Sequence, residues 1–473
     1  MTGKQAKTVV IGTGVGGCGI AALLAGAGYG VKVFERNDFP GGKTAVYERE
    51  GCKVDANVHT SPRGACGPIG RLSRTLDADL DLREIGPWRL RVGDRSTQLP
   101  LAFTSPTALA KIAWVIRPRP LSMLGAFRLF RKVLSIKTMD DIAPYYGRPV
   151  SDFIDGYTRD TNLLTFFNVI GGMMFVIPST DASTAEFLWA LSWWAHDAAV
   201  AYPMGGYGRV PASFLEVCER SGGEVRLGEP VKRIVVEDGR VTGVQTREGF
   251  YPADIVISNA GMKRTVELAG VENFENSYIA RIDRLRDSLG AVTFKCALDY
   301  PPLENALMLY VPEGWTYEDY WDTIDAGKVP GDVPLYILSP TVIDPGLAPE
   351  GQHLLLACAP VPPSLEYLDL ARSVADVVVR RLEKLFPGMR DHILWEHKTD
   401  LEYIATLGGR GAGEAIGLAQ SYDQDGPDKP DPRTPVEGLY VVGVDAGGMG
   451  IGTERAADSA MNVFEIIRDD MGR

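Results

Sequence analysis

Three glycines and one acidic residue near the N-terminus have the types and spacing of a dinucleotide site. Gly12, Gly14 and Gly17 form the pattern G-x-G-x-x-G. The first glycine permits a tight turn, the second lets the backbone approach a pyrophosphate, and the third lets the next helix pack closely. Glu35 follows at the distance from which an acid accepts hydrogen bonds from a ribose. This acid disfavours a 2′-phosphate, hence NADP, and leaves NAD and FAD open.

The elements that must position these residues occur in the required order. Residues 9–11 form a β-branched run that is typical of a buried parallel strand. An alanine-rich stretch predicts a helix that ends near Gly28 or Gly30, with free N–H groups and a positive dipole end facing the phosphates. Residues 31–34 predict a second strand. A Rossmann-type nucleotide site is therefore favoured over a glycine-rich turn in an ordinary α/β domain.

Length and composition restrict the class of protein. The chain has 473 residues, 45% of them hydrophobic, which is enough for two domains or one large domain. The net charge of -12 argues against general binding of nucleic acids. The six cysteines form no C-x-x-C pair, which is typical of reduced thiols in the cytoplasm and predicts no metal site. The apolar run after the basic N-terminus is interpreted as the first strand rather than a signal peptide, and no segment reaches the roughly 20 apolar residues of a membrane-spanning helix.

Nucleotide-type elements recur in the middle and at the end of the chain. A second glycine turn, Gly41-Gly42-Lys43, follows the first unit, and the stretch "GEPVKRI" around Val231 leads into short strands. Near the C-terminus, "GLYVVGVDAGGMGIGTER" combines a buried strand, a glycine loop and the start of a last helix. The sequence therefore predicts an α/β protein with a discontinuous dinucleotide-binding domain and an α+β substrate domain inserted in two pieces.

The order of these motifs resembles the phytoene desaturase family. Its members are FAD enzymes of a wider fold that includes amine oxidases, retinol saturases and Rab GDP-dissociation inhibitors. The resemblance implies a Rossmann-type FAD-binding domain built from residues 1–70, 202–265 and 401–473. It also implies a substrate domain built from residues 71–201, which are largely helical, and residues 266–400.

The resemblance further implies which residues hold FAD. The first glycine loop would face the pyrophosphate, Glu35 the adenosine ribose, the backbone of Val231 the adenine, and Asp445 the ribityl chain. The start of the last helix would lie under the flavin ring, where its N–H groups and dipole stabilise the negative charge of the reduced ring. The implied cofactor-binding set is Gly12, Gly14, Gly17, Glu35, Arg36, Gly42, Lys43, Val231, Gly443, Asp445, Gly450, Ile451 and Gly452.

The implied activity is an FAD-dependent oxidoreduction of a hydrophobic, isoprenoid or carotenoid-like substrate. Hydride would be transferred at flavin N5 in a desaturation, a saturation or an isomerisation, and oxygen or a quinone would accept the electrons. Because the cofactor carries this chemistry, few acid–base residues are expected. His59 is the candidate for positioning substrate or moving a proton. A structural loop histidine is the alternative. Asn57 also departs from the family pattern, which has glycine at this position of "VDANVH".

Two other functions share the fold. A flavin amine oxidase would use the same cofactor, although no paired aromatics near the C-terminus suggest an amine cage. A non-catalytic lipid or prenyl carrier of the GDP-dissociation-inhibitor type would share the fold without flavin. The intact G-x-G-x-x-G pattern and Glu35 disfavour this carrier.

Residues 95–139 have an unusual composition for an acidic protein. They contain no Asp or Glu, and they interleave Leu, Phe, Met and Trp114 with eight positive residues, which are Arg95, Lys111, Arg117, Arg119, Arg128, Arg131, Lys132 and Lys137. This composition is typical of an interfacial membrane segment. The alternative is a face packed against acidic parts of the same chain. We expect a protein that is peripheral on an anionic membrane, through which a lipophilic substrate would arrive.

Overall fold

The computed structural model describes residues 6–100, 105–196 and 200–472, apart from the side chains of Met174 and Trp194. Within these residues the strands are β1 Lys7–Ile11, β2 Gly30–Phe34, β3 Val46–Arg49, β4 Cys52–Asp55, β5 Leu82–Glu84, β6 Trp88–Val92, β7 Arg95–Leu99, β8 Ala201–Pro203, β9 Glu224–Arg226, β10 Arg233–Glu237, β11 Arg240–Gln245, β12 Phe250–Pro252, β13 Ile255–Ser258, β14 Gly290–Leu298, β15 Leu307–Val311, β16 Leu335–Leu338, β17 His353–Val361, β18 Ile393–Thr399 and β19 Leu439–Val441.

The α-helices of the same residues are α1 Val15–Gly26, α2 Pro68–Leu76, α3 Pro106–Ile116, α4 Met123–Ser135, α5 Met139–Ile142, α6 Val150–Asp155, α7 Thr161–Phe175, α8 Thr184–His196, α9 Arg209–Arg220, α10 Met262–Ala269, α11 Asn276–Asp283, α12 Tyr317–Asp325, α13 Leu368–Leu385, α14 Leu401–Gly408 and α15 Gly452–Asp470. No helix in the described part of the chain is long and apolar enough to cross a membrane.

A five-stranded parallel sheet collects strands from the beginning, the middle and the end of the chain. Its order is β19-β13-β1-β2-β9. Helix α1 packs against both α9 and α15, so the helices that cover this sheet also come from distant parts of the sequence. The prediction of an α/β protein with a discontinuous Rossmann-type domain is confirmed.

The turn between β1 and α1 explains why glycine is needed there. Gly12 has φ +92, a backbone conformation that side chains disfavour. A Cβ on Gly17 would lie only 2.1 Å from the carbonyl oxygen of Gly12, so only glycine lets the helix approach the turn this closely. The helix ends at Gly26, slightly earlier than the predicted Gly28 or Gly30, because Gly28 already takes φ +86 in the turn that leads to β2.

The inserted part contains a seven-stranded sheet of order β18-β14-β17-β16-β15-β6-β7. Strands β6 and β7 come from the first predicted piece of the substrate domain, and the other five strands come from the second piece. Helix α13 packs against β14 and β17, and its buried face continues their apolar core. The two pieces thus share one sheet, while the exact domain limits stay a prediction.

Candidate active site

A cleft of about 1040 Å³ lies at the carboxyl ends of the central parallel strands. Its lining follows directly on β1, β2, β13 and β19, and includes Thr13, Glu35, Asn259 and Val444. Open parallel sheets bind ligands at this edge, where the loops and helix N-termini converge. The sheet topology therefore brings residues from four distant parts of the sequence into one site.

The side-chain amide of Asn259, which is not part of the sequence motif, packs against the first glycine loop. A Cβ on Gly14 would lie 2.6 Å from Nδ2 of Asn259, and one on Gly443 would lie 2.6 Å from Oδ1 of the same residue. A Cβ on Gly16 would lie 2.9 Å from Cα of Gly443. Asn259, which follows β13, therefore packs between the first and the last nucleotide-type units.

Glu35 is buried at the end of β2, and both its carboxylate oxygens accept hydrogen bonds from the protein. Oε2 accepts from the backbone N–H of Thr13 at 2.9 Å and from its hydroxyl at 2.7 Å. Oε1 accepts from the N–H of Asn37 at 2.9 Å. A carboxylate has about four lone-pair sites, so it can still accept bonds from a ribose. Arg36 lies beside it in the cleft and is exposed.

A buried charge network lines the middle of the cleft. Nζ of Lys43 lies 2.9 Å from Oε1 of Glu414, and the Arg410 guanidinium donates to Asp445 at 2.9 Å. Asp445 also accepts from the backbone N–H groups of Met262 and Leu418. Burial alone would raise the pKa of Asp445, but Arg410 and these N–H groups lower it. Asp445 therefore stays ionised and anchors the start of α10.

His59 also lines the cleft. Its ring stacks on Tyr207, with centroids 5.0 Å apart and an interplanar angle of 25°. Nδ1 is 3.3 Å from the carbonyl oxygen of Asn57. Burial, with a smaller contribution from Lys295 and Lys43, lowers the pKa of His59 to about 4. The imidazole is neutral near pH 7, so it can accept a proton but holds none to give as an imidazolium.

The loop that carries His59 is fixed by two buried contacts. Asp55 accepts from the hydroxyl of Tyr202 at 2.6 Å and from the backbone N–H of Tyr207 at 2.8 Å. Nδ2 of Asn57 donates to the carbonyl oxygen of Lys43 at 2.9 Å. The asparagine that replaces the family's glycine therefore ties this loop to the second glycine turn.

Lys295 is buried beneath the same loop, in the middle of the apolar strand β14. Its ammonium group donates to the carbonyl oxygen of Ala56. It lies 5.3 Å and 5.0 Å from the ring centroids of Tyr47 and Tyr403. Burial lowers the pKa of Lys295 to about 7. This cation and its aromatic cage stabilise the loop from below.

Two polar side chains donate hydrogen bonds to the glycine loop before α15. Lys429 donates to the carbonyl oxygen of Gly448, and Gln420 donates to that of Gly450 at 2.9 Å. Behind them, Arg455 donates to the buried Asp425 at 2.6 Å. Burial raises the pKa of the neighbouring Glu186 and lowers that of Lys429, so both charges are disfavoured there.

Comparison with known proteins assigns the family. Residues 10–75 match the model of an NAD(P)-binding Rossmann-like domain. Residues 145–463, more than half of the chain, match the model described as flavin containing amine oxidoreductase. The chain belongs to the flavin-containing amine oxidoreductase family. This flavin oxidoreductase is an enzyme and uses FAD.

Individual relatives indicate which subgroup of the family this chain resembles. The flavin oxidoreductase is 26% identical to a phytoene desaturase (lycopene-forming) of Pseudescherichia vulneris over 92% of this chain and 94% of the relative. It is also 26% identical to the chloroplastic prolycopene isomerase of Daucus carota, over 93% of this chain and 76% of the relative. A solved oxidoreductase from Methanosarcina mazei shares the fold with a TM-score of 0.78 and 22% identity, covering 97% and 100% of the two chains. The resemblance to phytoene desaturases is confirmed.

The cleft of the flavin oxidoreductase fits FAD on its own geometry. Ligand pockets commonly measure roughly 300–1,000 Å³, and this one is about 1040 Å³, enough for a long dinucleotide. Its floor lacks side chains at Gly12, Gly14 and Gly16, so phosphates can approach the backbone. Glu35 lies in one part of it and the N-terminus of α15 in another.

The predicted cofactor residues of the flavin oxidoreductase divide into two groups. Ten predicted site residues line the cleft: Gly12, Gly14, Glu35, Arg36, Gly42, Lys43, His59, Val231, Asp445 and Gly452. The other four support it from outside the lining: Gly17, Gly443, Gly450 and Ile451. The roles of the individual residues toward FAD stay predictions.

Sequence reasoning missed several residues of this site. Asn259 belongs to no glycine pattern and reaches the cleft only through the fold. Arg410 and Glu414 lie in the glycine-rich stretch "GGRGAGE", a signal that the sequence analysis did not use. Lys295 carried a signal that could have been used, since it is a single lysine inside the otherwise apolar strand "GAVTFKCAL". A buried lysine is rare unless it is paired or functional.

The cationic segment predicted at residues 95–139 forms β7 and the helix pair α3 and α4, and its residues 101–104 lie outside the described part of the chain. Arg95 pairs with Glu313 at 3.1 Å, as the alternative of an internal acidic partner predicts. Within the described residues, no carboxylate lies within ion-pair distance of Arg128, Arg131 or Lys132. Packing against acidic residues of the same chain therefore does not explain the positive charges of Arg128, Arg131 and Lys132.

Proposed function

We propose that this flavin oxidoreductase removes hydride from a C–H group of a hydrophobic, isoprenoid or carotenoid-like substrate, with saturation and isomerisation as variants of the same chemistry. Relatives at similar identity are named for phytoene, zeta-carotene and prolycopene, which are all hydrocarbons of this kind. The observation that carries the proposal is the cleft itself. Its glycine floor and Glu35 suit FAD, and the neutral His59 lies in the same lining.

Likeness in sequence distinguishes the candidate substrates. Relatives that are 26% identical over more than nine-tenths of this chain are named for phytoene and prolycopene. A solved putrescine oxidase shares only the fold, at 13% identity. These relatives favour a hydrocarbon substrate over the alternative of an amine oxidase.

The protein's own part in the reaction falls to His59. Nδ1 lies at the carbonyl oxygen of Asn57, so the neutral ring carries its hydrogen there and leaves Nε2 as an acceptor. Nε2 can take up the proton that the substrate loses. When bound, FAD supplies the two-electron acceptor for hydride at N5. Oxygen or a quinone then receives the electrons.

The proposal is tested by product analysis. The holoenzyme is incubated with phytoene or with putrescine, and the products are identified by mass spectrometry. We expect phytoene to lose pairs of hydrogens and putrescine to be recovered unchanged. Oxidation of putrescine with no change in phytoene would favour the amine oxidase.

We also propose that the helix pair α3 and α4 docks this protein on anionic membranes as a peripheral cytoplasmic enzyme. Six large apolar side chains are exposed in the described part of the segment, among them Trp114 by 56%, Leu121 by 87%, Leu124 by 71% and Phe127 by 57%. Cations near an anionic surface contribute about 1 kcal/mol each, and apolar side chains add insertion that salt does not screen. The net charge of -12 means that this attraction must be local.

Vesicle sedimentation tests the docking. We expect the protein to sediment with phosphatidylserine vesicles more than with phosphatidylcholine vesicles, and high salt to release only part of it. Changing Arg128, Arg131 and Lys132 to Glu is expected to abolish sedimentation and leave bound flavin unchanged. A wild type that ignores anionic vesicles at low salt would contradict the docking.

A further inference from the structure

An apolar cavity of about 170 Å³ lies between α3, α4, α7 and α8, apart from the nucleotide cleft. All of its lining residues are apolar, among them Ile112, Ala113, Met123, Phe127, Phe166 and Leu191. Apolar cavities of about 150 Å³ stay dry and accept a molecule the size of benzene. This cavity therefore fits a short stretch of hydrocarbon chain, and it is too small for a whole carotenoid-sized molecule.

The cavity opens on the exposed side of α4. Met123 and Phe127 line it, yet they are 40% and 57% exposed, so both side chains lie at its mouth. Leu124, on the same helix, is 71% exposed and extends the apolar rim. A chain can thus pass from an apolar surface directly into the cavity.

Cations follow this mouth at helical spacing. Arg131 lies four residues after Phe127, and Arg128 lies four residues after Leu124, so each cation is a neighbour of a rim residue on α4. The Arg128 guanidinium lies 5.8 Å from the ring centroid of Tyr157, and the Lys132 ammonium lies 5.0 Å from that of Tyr145. Their charges are held by aromatic faces and leave hydrogen-bond donors for an anion.

We propose that the cavity and these cations form a binding site for one anionic phospholipid. The end of one acyl chain occupies the cavity, and the phosphate lies among Arg128, Arg131 and Lys132. A neutral isoprenoid would fill the cavity but would bring no negative charge to Arg128, Arg131 and Lys132, so charge complementarity selects the phospholipid. The inference rests on the proposed membrane docking and adds a defined lipid site to it.

The test uses a soluble lipid and a matched pair of variants. Monomeric dihexanoylphosphatidylglycerol is titrated into the holoenzyme by isothermal calorimetry, below its micelle concentration. Ala113 lines the cavity, whereas Ala110 is exposed on the same helix and lies outside the lining. We expect Ala113→Phe to weaken binding at least tenfold, and Ala110→Phe to change it less than twofold. Ala113→Leu, which fills less of the cavity, is expected to lie between them.

Two further measurements distinguish the contribution of the headgroup charge from that of the acyl chain. Arg128→Glu with Arg131→Glu is expected to remove the preference for phosphatidylglycerol over phosphatidylcholine of the same chain length. Sedimentation of Ala113→Phe with anionic vesicles is expected to persist, because the cationic face is intact.

Two results would overturn this inference. One is unchanged lipid affinity in Ala113→Phe and Ala113→Leu, with flavin content and thermal midpoint as in the wild type. The other is equal affinity of the wild type for both headgroups. If the wild type does not sediment with anionic vesicles, the proposed docking is contradicted instead. Oxidation of putrescine would contradict the proposed reaction.

Discussion

The nucleotide cleft and the apolar cavity recognise their ligands by opposite means. The cleft presents glycine backbone and paired charges, such as Arg410 with Asp445, each fixed by several hydrogen bonds. The cavity presents only apolar side chains. Among the described residues no carboxylate forms an ion pair with the nearby Arg128, Arg131 or Lys132, although Asp141 interacts with Lys132 at longer range. A polar ligand needs fixed geometry, whereas a hydrocarbon chain needs only shape and a dry wall. Single substitutions should therefore affect the cleft far more sharply.

The largest expected effect on the binding of the cofactor is at Gly17 in α1. A Cβ there would lie 2.1 Å from the carbonyl oxygen of Gly12, whereas one at Gly26 of the same helix meets no atom within 4 Å. We expect Gly17→Ala to weaken FAD at least about a hundredfold, or about 3 kcal/mol, and Gly26→Ala to leave it unchanged. Fluorescence titration of the apoprotein measures both. Equal affinities for the two variants would show that the turn tolerates displacement.

His59 is expected to affect the reaction and not the binding of the cofactor. His59→Ala should slow reduction of the flavin by substrate by roughly 10²–10⁴-fold, the range of general acid–base groups. FAD content should stay normal, since the ring contacts Tyr207 and Asn57 rather than the glycine loops. Rapid mixing without oxygen measures the rate. An unchanged rate would make His59 a structural residue.

Glu35 is expected to have an intermediate effect on affinity. Hydrogen bonds to charged groups contribute roughly 1.5–3 kcal/mol each, so Glu35→Ala should weaken FAD about tenfold to a hundredfold. Glu224→Ala is the control, because this half-buried acid on β9 pairs with Lys32 and lies outside the cleft lining. If the two variants bind FAD alike, the ribose lies elsewhere.

The smallest expected effect is the titration of His59. Burial lowers its pKa from 6.5 to about 4, so the folded state binds fewer protons than the unfolded state between these values. Stability should therefore fall as the pH decreases through this window. NMR of labelled histidines should show constant His59 ring shifts from pH 8 to pH 5.5, assigned with His59→Ala. A titration midpoint near pH 6.5 would indicate that the His59 ring is exposed to solvent.

The difference between the two regions also explains what could be predicted. Gly12, Glu35 and the flanking strands act through local spacing, so the sequence predicts their positions directly. Asn259 and Arg410 reach the cleft from other segments, and only Arg410 lies in a local pattern, the glycine-rich stretch of residues 408–414. Between Arg95 and Met139, composition predicts an interfacial surface. The cavity itself was not predictable, because it depends on how four helices pack.

The chemistry at the flavin is the central claim, and anaerobic reduction of the bound FAD tests it most directly. The oxidised holoenzyme is mixed without oxygen with phytoene or with putrescine, and the visible flavin absorbance is followed. We predict that phytoene bleaches the flavin and putrescine does not, because relatives that match more than nine-tenths of this chain are named for phytoene and prolycopene. Bleaching by putrescine with none by phytoene would contradict it.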